Sequence, residues 1–450
     1  MSDGLLVAIA MAGIFALLFL VIQVKLHAFV ALMLVSLVVG VLAGMPLESV
    51  IDAVQEGMGS TLGFVAVVVG LGAIFGQMLE VSGGAQRLAR TLIAKFGEDN
   101  AQWALGITGF LVAIPVFFDV AFIILVAVIY DLSKNAKRPL LYYGVPLIAG
   151  LSCTHAFIPP TPGPVAVADL IGADLGWVIL FGAICGFPAM VLAGPLYGRF
   201  IAKRITVGPP AHMMEETGDA PVSDADLPSF NTVAALIGIP LVLILLATVS
   251  DVALADDNPI AQFLGFVGHP FTALLIATLL TFYLLGTKRG VTKQQLEGIA
   301  NKAMEPAGII ILVTGAGGVF KQVLINSGVG DVLGGIMASS AMPPLVIAFL
   351  IAAAVRLAQG SATVAMVTAA GLVTPLIQQF QLEGAVLGLM TIAIAAGATI
   401  ASHVNDSGFW LVNRYFGLEV ADTLKSWTVV TTIIAFTGFA MTMLLAQVVL

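Results

Sequence analysis

Charge is what this chain has least of. Only 10% of its 450 residues are charged, whereas 59% are hydrophobic. A water-soluble fold must cover itself with polar groups, so this composition excludes one. Cysteine is almost absent. Cys153 and Cys185 both lie in apolar segments, where thiols packing as small hydrophobes are expected rather than a disulfide. No HExxH string occurs, and His155 and His403 lack the usual ligand spacing, so no metal, no other cofactor and no enzyme activity are expected. A net charge of −8, with no basic face, gives no reason to expect a nucleic-acid partner. The first apolar run, Leu5 to about Val24, lacks a basic leader and a small-residue cleavage pattern and reads as a retained span.

What the chain has in quantity is apolar runs of roughly 20 residues, the length a bilayer-spanning helix needs. It also carries one passage twice. Residues 70–83 read GLGAIFGQMLEVSG and residues 315–328 read GAGGVFKQVLINSG, an ungapped offset of 245. Gly70, Gly72, Phe75, Gln77, Leu79, Ser82 and Gly83 recur as Gly315, Gly317, Phe320, Gln322, Leu324, Ser327 and Gly328. A duplicated half in so apolar a chain is the usual build of a secondary transporter, with its binding site where the halves meet. GLGAIFG is not a nucleotide loop, because no strand precedes it and no basic residue follows. Close helix packing through small residues is the better reading.

Spans are placed near 5–24, 26–45, 60–80, 140–173 and 175–201, then 231–250, 262–286, 305–326, 384–416 and 426–449. Two apolar stretches remain, 103–130 and 345–380. Sixteen of the 18 Lys and Arg fall in loops that share one side in this layout, leaving only Lys321 and Arg356. The opposite loops carry Glu48, Asp52, Glu56, Asp251, Asp256 and Asp257 without a Lys or Arg. That asymmetry marks the basic side as cytoplasmic. Basic loops flank 103–130 on both sides, so a re-entrant hairpin from the cytoplasm is expected there, and parity makes 345–380 a second hairpin from the outer face. The expected fold is an all-α polytopic membrane protein. It has two inverted repeats, 1–202 and 231–450, each of five spans and one hairpin, with both termini outside. Residues 203–230, acidic and proline-bearing, read as a cytoplasmic linker.

Non-helical backbone at membrane depth survives only inside protein or beside water, so breaks in the apolar segments point to the site. The first is Pro115-Val-Phe-Phe-Asp119. A carboxylate within the membrane is costly and functional as a rule, and Asp119 could carry a proton. The structural alternative is a helix cap or a pair with Arg356. The second break is Thr154-His-Ala-Phe-Ile-Pro-Pro-Thr-Pro-Gly-Pro164, within the span 140–173. Thr161 and Pro162 read as the N-cap and first turn of a new helix whose amides suit an anion near Gly163. His155 could titrate or donate to substrate, or be a packed core histidine. The third break is Arg356-Leu-Ala-Gln359-Gly360-Ser361-Ala-Thr363. Here Gly360 permits a turn, Ser361 and Thr363 can cap, and Arg356 either grips a carboxylate or pairs with Asp119 or Asp406. The fourth, in the span 384–416, is Ser402-His403-Val-Asn405-Asp406-Ser407-Gly408, the counterpart of the proline-rich break. Such a cluster binds hydroxyls or cations, or caps a half-helix. Together the breaks suit a small anion rich in hydroxyls.

The strings GLGAIFGQMLEVSGGA, PVFFDVAFIIL, HAFIPPTPGPVAVA, RLAQGSATVAM and SHVNDSGFW resemble those of the gluconate permease (GntP-type) family, and the resemblance covers nearly the whole chain. It implies a proton symporter for gluconate or a related sugar acid in a bacterial inner membrane. It also implies membership of the ion-transporter superfamily, whose members are generally dimers that work as elevators, a transport domain with the hairpins sliding against a scaffold. Carried over, the motifs fall on His155 to Pro164, Gln359 to Thr363 and His403 to Ser407. Asp119, with Asp406 as the alternative, is expected to carry the proton. Thr161, Ser361, Thr363 and Asn405 would bind substrate, with Arg356 or helix N-termini at its carboxylate. A sodium-coupled carboxylate carrier, an anion channel and an intramembrane hydrolase built on Ser407 and His403 are the competing classes.

Overall fold

The computed structural model describes residues 2–136, 138–210, 226–255, 257–328, 332 and 342–449. Most of the expected linker, 211–225, lies outside the described residues, as do Lys137 and Asp256. Among the described residues all regular structure is helical. The first half runs α1 (Asp3–Ile22), α2 (Ala28–Leu42), α3 (Leu47–Val81), α4 (Gly84–Phe96), α5 (Ala101–Val112), α6 (Phe118–Ala136), α7 (Leu140–Phe157), α8 (Pro162–Ile171) and α9 (Leu175–Val191). Helix α9 continues through a wider turn, Leu192–Leu196, to Tyr197–Ile201. The second half runs α10 (Phe230–Ala253), α11 (Pro259–Gly268), α12 (Pro270–Thr281), α13 (Lys293–Asn326), α14 (Pro344–Gln359), α15 (Ala362–Phe380), α16 (Ala385–Thr399), α17 (Ser407–Phe416) and α18 (Val429–Val449), the last entered through Val420–Thr423 and Leu424–Thr428.

Nine described stretches are long and apolar enough to cross a membrane. Three details differ from the sequence reading. The spans expected at 60–80 and 305–326 belong to helices of 35 and 34 residues. At 1.5 Å per residue each is about 50 Å long, well beyond the hydrocarbon core. Glu48, Asp52, Glu56, Lys293 and Lys302, expected in loops, therefore sit on helix. A helix satisfies its own backbone, so it continues where the apolar run stops, and hydropathy cannot see that. The span expected at 262–286 is broken at His269, because Pro270 pushes the residue before it out of helical geometry. The span expected at 26–45 has only 15 helical residues.

Corresponding helices of the two halves pack in opposite directions. Gly57 of α3 meets the backbone of Gly318 and Val319 on α13, Leu62 lies against Gly315, and Gln322 Nε2 donates to Glu56 Oε2 at 3.1 Å. As the number rises on one helix it falls on the other. Glycines on both sides let the backbones approach closely. The same holds for α9 and α18. The Tyr197 hydroxyl donates to the Lys425 carbonyl at one end, and Cys185 Sγ lies 3.8 Å from Thr442 Oγ1 further along.

Within each half, by contrast, a pair runs parallel. Gln102 Nε2 donates to the Tyr142 carbonyl at 2.9 Å, Gly106 packs against Gly150, and Thr154 Oγ1 donates to the Phe110 carbonyl at 2.7 Å. So α5 and α7 start at the same level and run the same way, although α6 lies between them in the chain. In the second half Gly397 packs on Phe349, and Asn405 Nδ2 donates to the Leu357 carbonyl at 3.1 Å, so α14 and α16 also run the same way. Helices α7, α8 and α16 are buried along almost their whole length. They form the centre, with α1 at the lipid-exposed periphery.

Candidate functional site

All four expected breaks are present. Helical structure lapses at 113–117, 158–161, 360–361 and 400–406. Each is followed by a new helix, and the N-terminal residues of α6 (Phe118, Asp119), α8 (Gly163), α15 (Ala362, Thr363) and α17 (Ser407, Gly408) line one cavity of about 170 Å³. Four helix N-termini around one small space favour negative charge there, since each brings the positive end of a dipole.

Pro162 stands at the first helical position of α8, with Thr161 before it as the N-cap. The Thr161 hydroxyl does not cap. It donates to the Ile158 carbonyl at 2.6 Å, closing the break on itself and leaving the first-turn amides of α8 without that acceptor. At α15, Ser361 does cap, its Oγ accepting from Val364 N at 3.4 Å. Gly360 turns the chain with φ of +91°, and a Cβ there would collide with the Asn405 carbonyl. Asn405 therefore ties the tip of α14 to the break after α16 and does not line the cavity.

Arg356 is 4% exposed, and its Nη2 lies 2.5 Å from Asp406 Oδ2. Its Nε and Nη1, equally buried, have no hydrogen-bond partner among the described residues. Two donors of a permanently charged fork are thus left without an acceptor among the described residues. Asp406 is fully engaged. It accepts from Arg356, from the Ser402 hydroxyl and, as N-cap of α17, from Gly408 N at 3.2 Å. Ser402 is itself held by Trp427 Nε1 at 2.6 Å, while its backbone N–H donates to Thr431 Oγ1 at 3.0 Å. Asp119 is the opposite case. It lines the same cavity, is exposed to it, and forms no hydrogen bond or ion pair with any described residue.

Of the residues expected at the site, Asp119, His155, Gly163, Arg356, Ser361, Thr363, Asp406 and Ser407 line the cavity. Thr161, Gln359, Gly360, His403 and Asn405 do not, and they sit in the breaks behind it. Sequence reasoning did not pick out Phe118, Ser152, Met366, Thr399, Trp427 or Thr431. Ser152, Thr399 and Thr431 are hydroxyl residues of apolar helices, and no local signal separates them from the other Ser and Thr of such helices. His155 lines this space, and its buried Nδ1 has no hydrogen-bond partner among the described residues. Among the described residues no cluster of His, Cys, Asp and Glu could hold a metal ion.

A family model described as "GntP family permease" matches residues 5–449. The "Low-affinity gluconate transporter" of Escherichia coli K12 is 41% identical over 447 residues, covering 99% of both chains. The "Gluconate permease" of Pseudomonas aeruginosa is 39% identical over 446 residues, 99% of this chain and 98% of the relative. The "Gnt-II system L-idonate transporter" of E. coli K12 is 41% identical over 428 residues, 95% and 96% of the two chains. Among solved structures, the YdaH transporter of Alcanivorax borkumensis matches with a TM-score of 0.64 at 14% identity over 92% of this chain and 96% of the other, a likeness of fold alone. The chain belongs to the GntP family of permeases and is a membrane-embedded transporter, not an enzyme.

Proposed function

We propose that this permease imports gluconate or a closely related sugar acid together with a proton. One observation carries the reading: four helix N-termini and Arg356, two of whose N–H groups lack an acceptor among the described residues, line a hydroxyl-bearing cavity beside a carboxylate with no partner among them. Arg356 and the amides of α8, α15 and α17 would hold the substrate carboxylate. Ser152, Thr363, Thr399, Ser407 and Thr431 supply donors and acceptors for its hydroxyls. The relatives named for gluconate and L-idonate support this substrate class.

Asp119 is the proton carrier in this scheme. A carboxylate crossing the bilayer centre unpaired costs several kcal/mol, and protonation removes that charge before transit. Asp406 is a poor carrier, because its oxygens already hold Arg356, Ser402 and the N-terminus of α17.

The reading includes two inverted repeats with re-entrant hairpins at 103–130 and 345–380, and both termini outside. The antiparallel packing of α3 on α13 and of α9 on α18 supports the inversion. Parallel packing of α5 on α7 supports the first hairpin, because α6 must return the chain to the level at which α5 began. An elevator-like movement fits the small-residue contacts between the two long helices and the cavity-bearing elements, such as Gly72 on Pro160 and Gly371 on Phe320.

Uptake into proteoliposomes with a panel of sugar acids, under independent pH and sodium gradients, tests the proposal. Accumulation of gluconate or idonate driven by an inward proton gradient, without sodium, is expected. Uptake that follows sodium at fixed pH would overturn the proton assignment. Flux that never exceeds the gradient would replace the symporter with a channel.

A further inference from the structure

We propose that a second site, a crevice between the end of α9 and the segment entering α18, binds the phosphate of an anionic phospholipid. The crevice has a volume of about 600 Å³ and shares no lining residue with the transport cavity. Tyr197, Phe200, Arg204, Thr206, Asp422 and Lys425 are the residues that matter. The Tyr197 hydroxyl bonded to the Lys425 carbonyl fixes its two walls to each other.

Its charges are arranged for an anion at a membrane boundary. The Arg204 guanidinium lies 3.9 Å from the centroid of the Phe200 ring, which fixes the plane of the fork at the mouth. Lys425 Nζ reaches Asp422 Oδ1 only at 3.5 Å, with 67% of its side chain exposed, so its ammonium retains donors. Two cations, one carboxylate and the Thr206 hydroxyl leave a net positive pocket that matches one phosphodiester charge. The pocket lies at the end of the chain's membrane segment that carries Arg199, Lys203 and Arg204, the basic side by sequence.

The apolar surface beside it identifies the rest of the ligand. Leu192, Leu196 and Phe200, four residues apart on α9 and its continuation, are 43–47% exposed, and Leu424, next to Lys425 in the chain, is 39% exposed. This strip leads along the helix to the basic mouth. A soluble phosphate has no use for such a strip, whereas a phospholipid lays an acyl chain on it and its headgroup between the cations. Basic pockets between membrane helices on the cytoplasmic side are where such headgroups bind.

The test uses the full-length protein in detergent, titrated with phosphatidylglycerol, with phosphatidylcholine or with inorganic phosphate, and followed by thermal unfolding and native mass spectrometry. Phosphatidylglycerol should raise the unfolding temperature and remain bound as a discrete adduct, and the other two should not. In the double variant Arg204→Ala, Lys425→Ala the phosphatidylglycerol affinity should fall by about thirtyfold, the loss for two basic residues at an anionic headgroup. The variant Arg204→Lys, Lys425→Arg should keep most of it, which separates lost charge from failed folding. Equal effects of phosphatidylglycerol and phosphatidylcholine on the wild-type protein would overturn the proposal. So would an undiminished affinity in the alanine variant. Inorganic phosphate reproducing the whole shift would overturn the lipid assignment in favour of a soluble anion.

Discussion

Two carboxylates line the same cavity and live in opposite circumstances. Asp406 holds the N-terminus of α17, the Arg356 guanidinium and the Ser402 hydroxyl, and Trp427 stands behind Ser402. Asp119 sits in the first turn of α6 and holds nothing among the described residues. The difference separates two jobs that a bare sequence gives to either residue. A carboxylate locked by three donors is part of the wall. A carboxylate with no partner can change its protonation without dismantling anything.

The largest effect that can break this contrast is on stability. Asp406→Asn can still cap α17 but leaves Arg356 buried beside a neutral group, and Arg356→Ala leaves Asp406 without its cation. Each should lose about 3–5 kcal/mol, read as a large drop in unfolding temperature. Asp119→Asn should unfold with the wild-type protein. Removing both members together, as Arg356→Met with Asp406→Asn, should cost less than the sum of the single losses, because no lone charge remains. Additive losses would mean that the pair is not coupled. Gly360→Ala comes next. Its left-handed backbone and the carbonyl of Asn405 leave no room for a Cβ, and a strained position of this kind costs on the order of 1–3 kcal/mol. The readout is unfolding temperature together with substrate affinity, since the tip carries Ser361 and Thr363. Ser402→Ala comes last: it removes the two hydrogen bonds of that hydroxyl, with Asp406 and Trp427, at about 2 kcal/mol, and should leave proton-driven accumulation intact while weakening substrate binding a few-fold.

Much of this arrangement was legible in the chain. Prolines 115, 159, 160, 162 and 164, with Gly360, have fixed backbone consequences, so three of the four breaks could be read from them, and the fourth, at 400–406, from its polar cluster Ser402 to Ser407. Ten of the expected spans rested on apolar length, a signal that stops where the lipid does, and so the polar turns of α3 and α13 escaped it. Partner choice was not legible. Arg356 stood near Asp119 and Asp406 equally in any sequence argument, and only the packing of α14 on α16 brings it to Asp406. The hydroxyls of Ser152, Thr399 and Thr431 were hidden for a related reason. A Thr in an apolar helix bonds its own backbone by default, as Thr399 does to Ala395, and nothing local marks which of them also faces a cavity.

The most direct measurement is transport by Asp119→Asn in proteoliposomes, comparing counterflow exchange of gluconate with its accumulation under an imposed proton gradient. Exchange that persists while proton-driven accumulation vanishes is the predicted result. Wild-type accumulation by the asparagine variant would show that the proton travels on another group, and the division of labour between the two carboxylates would fail.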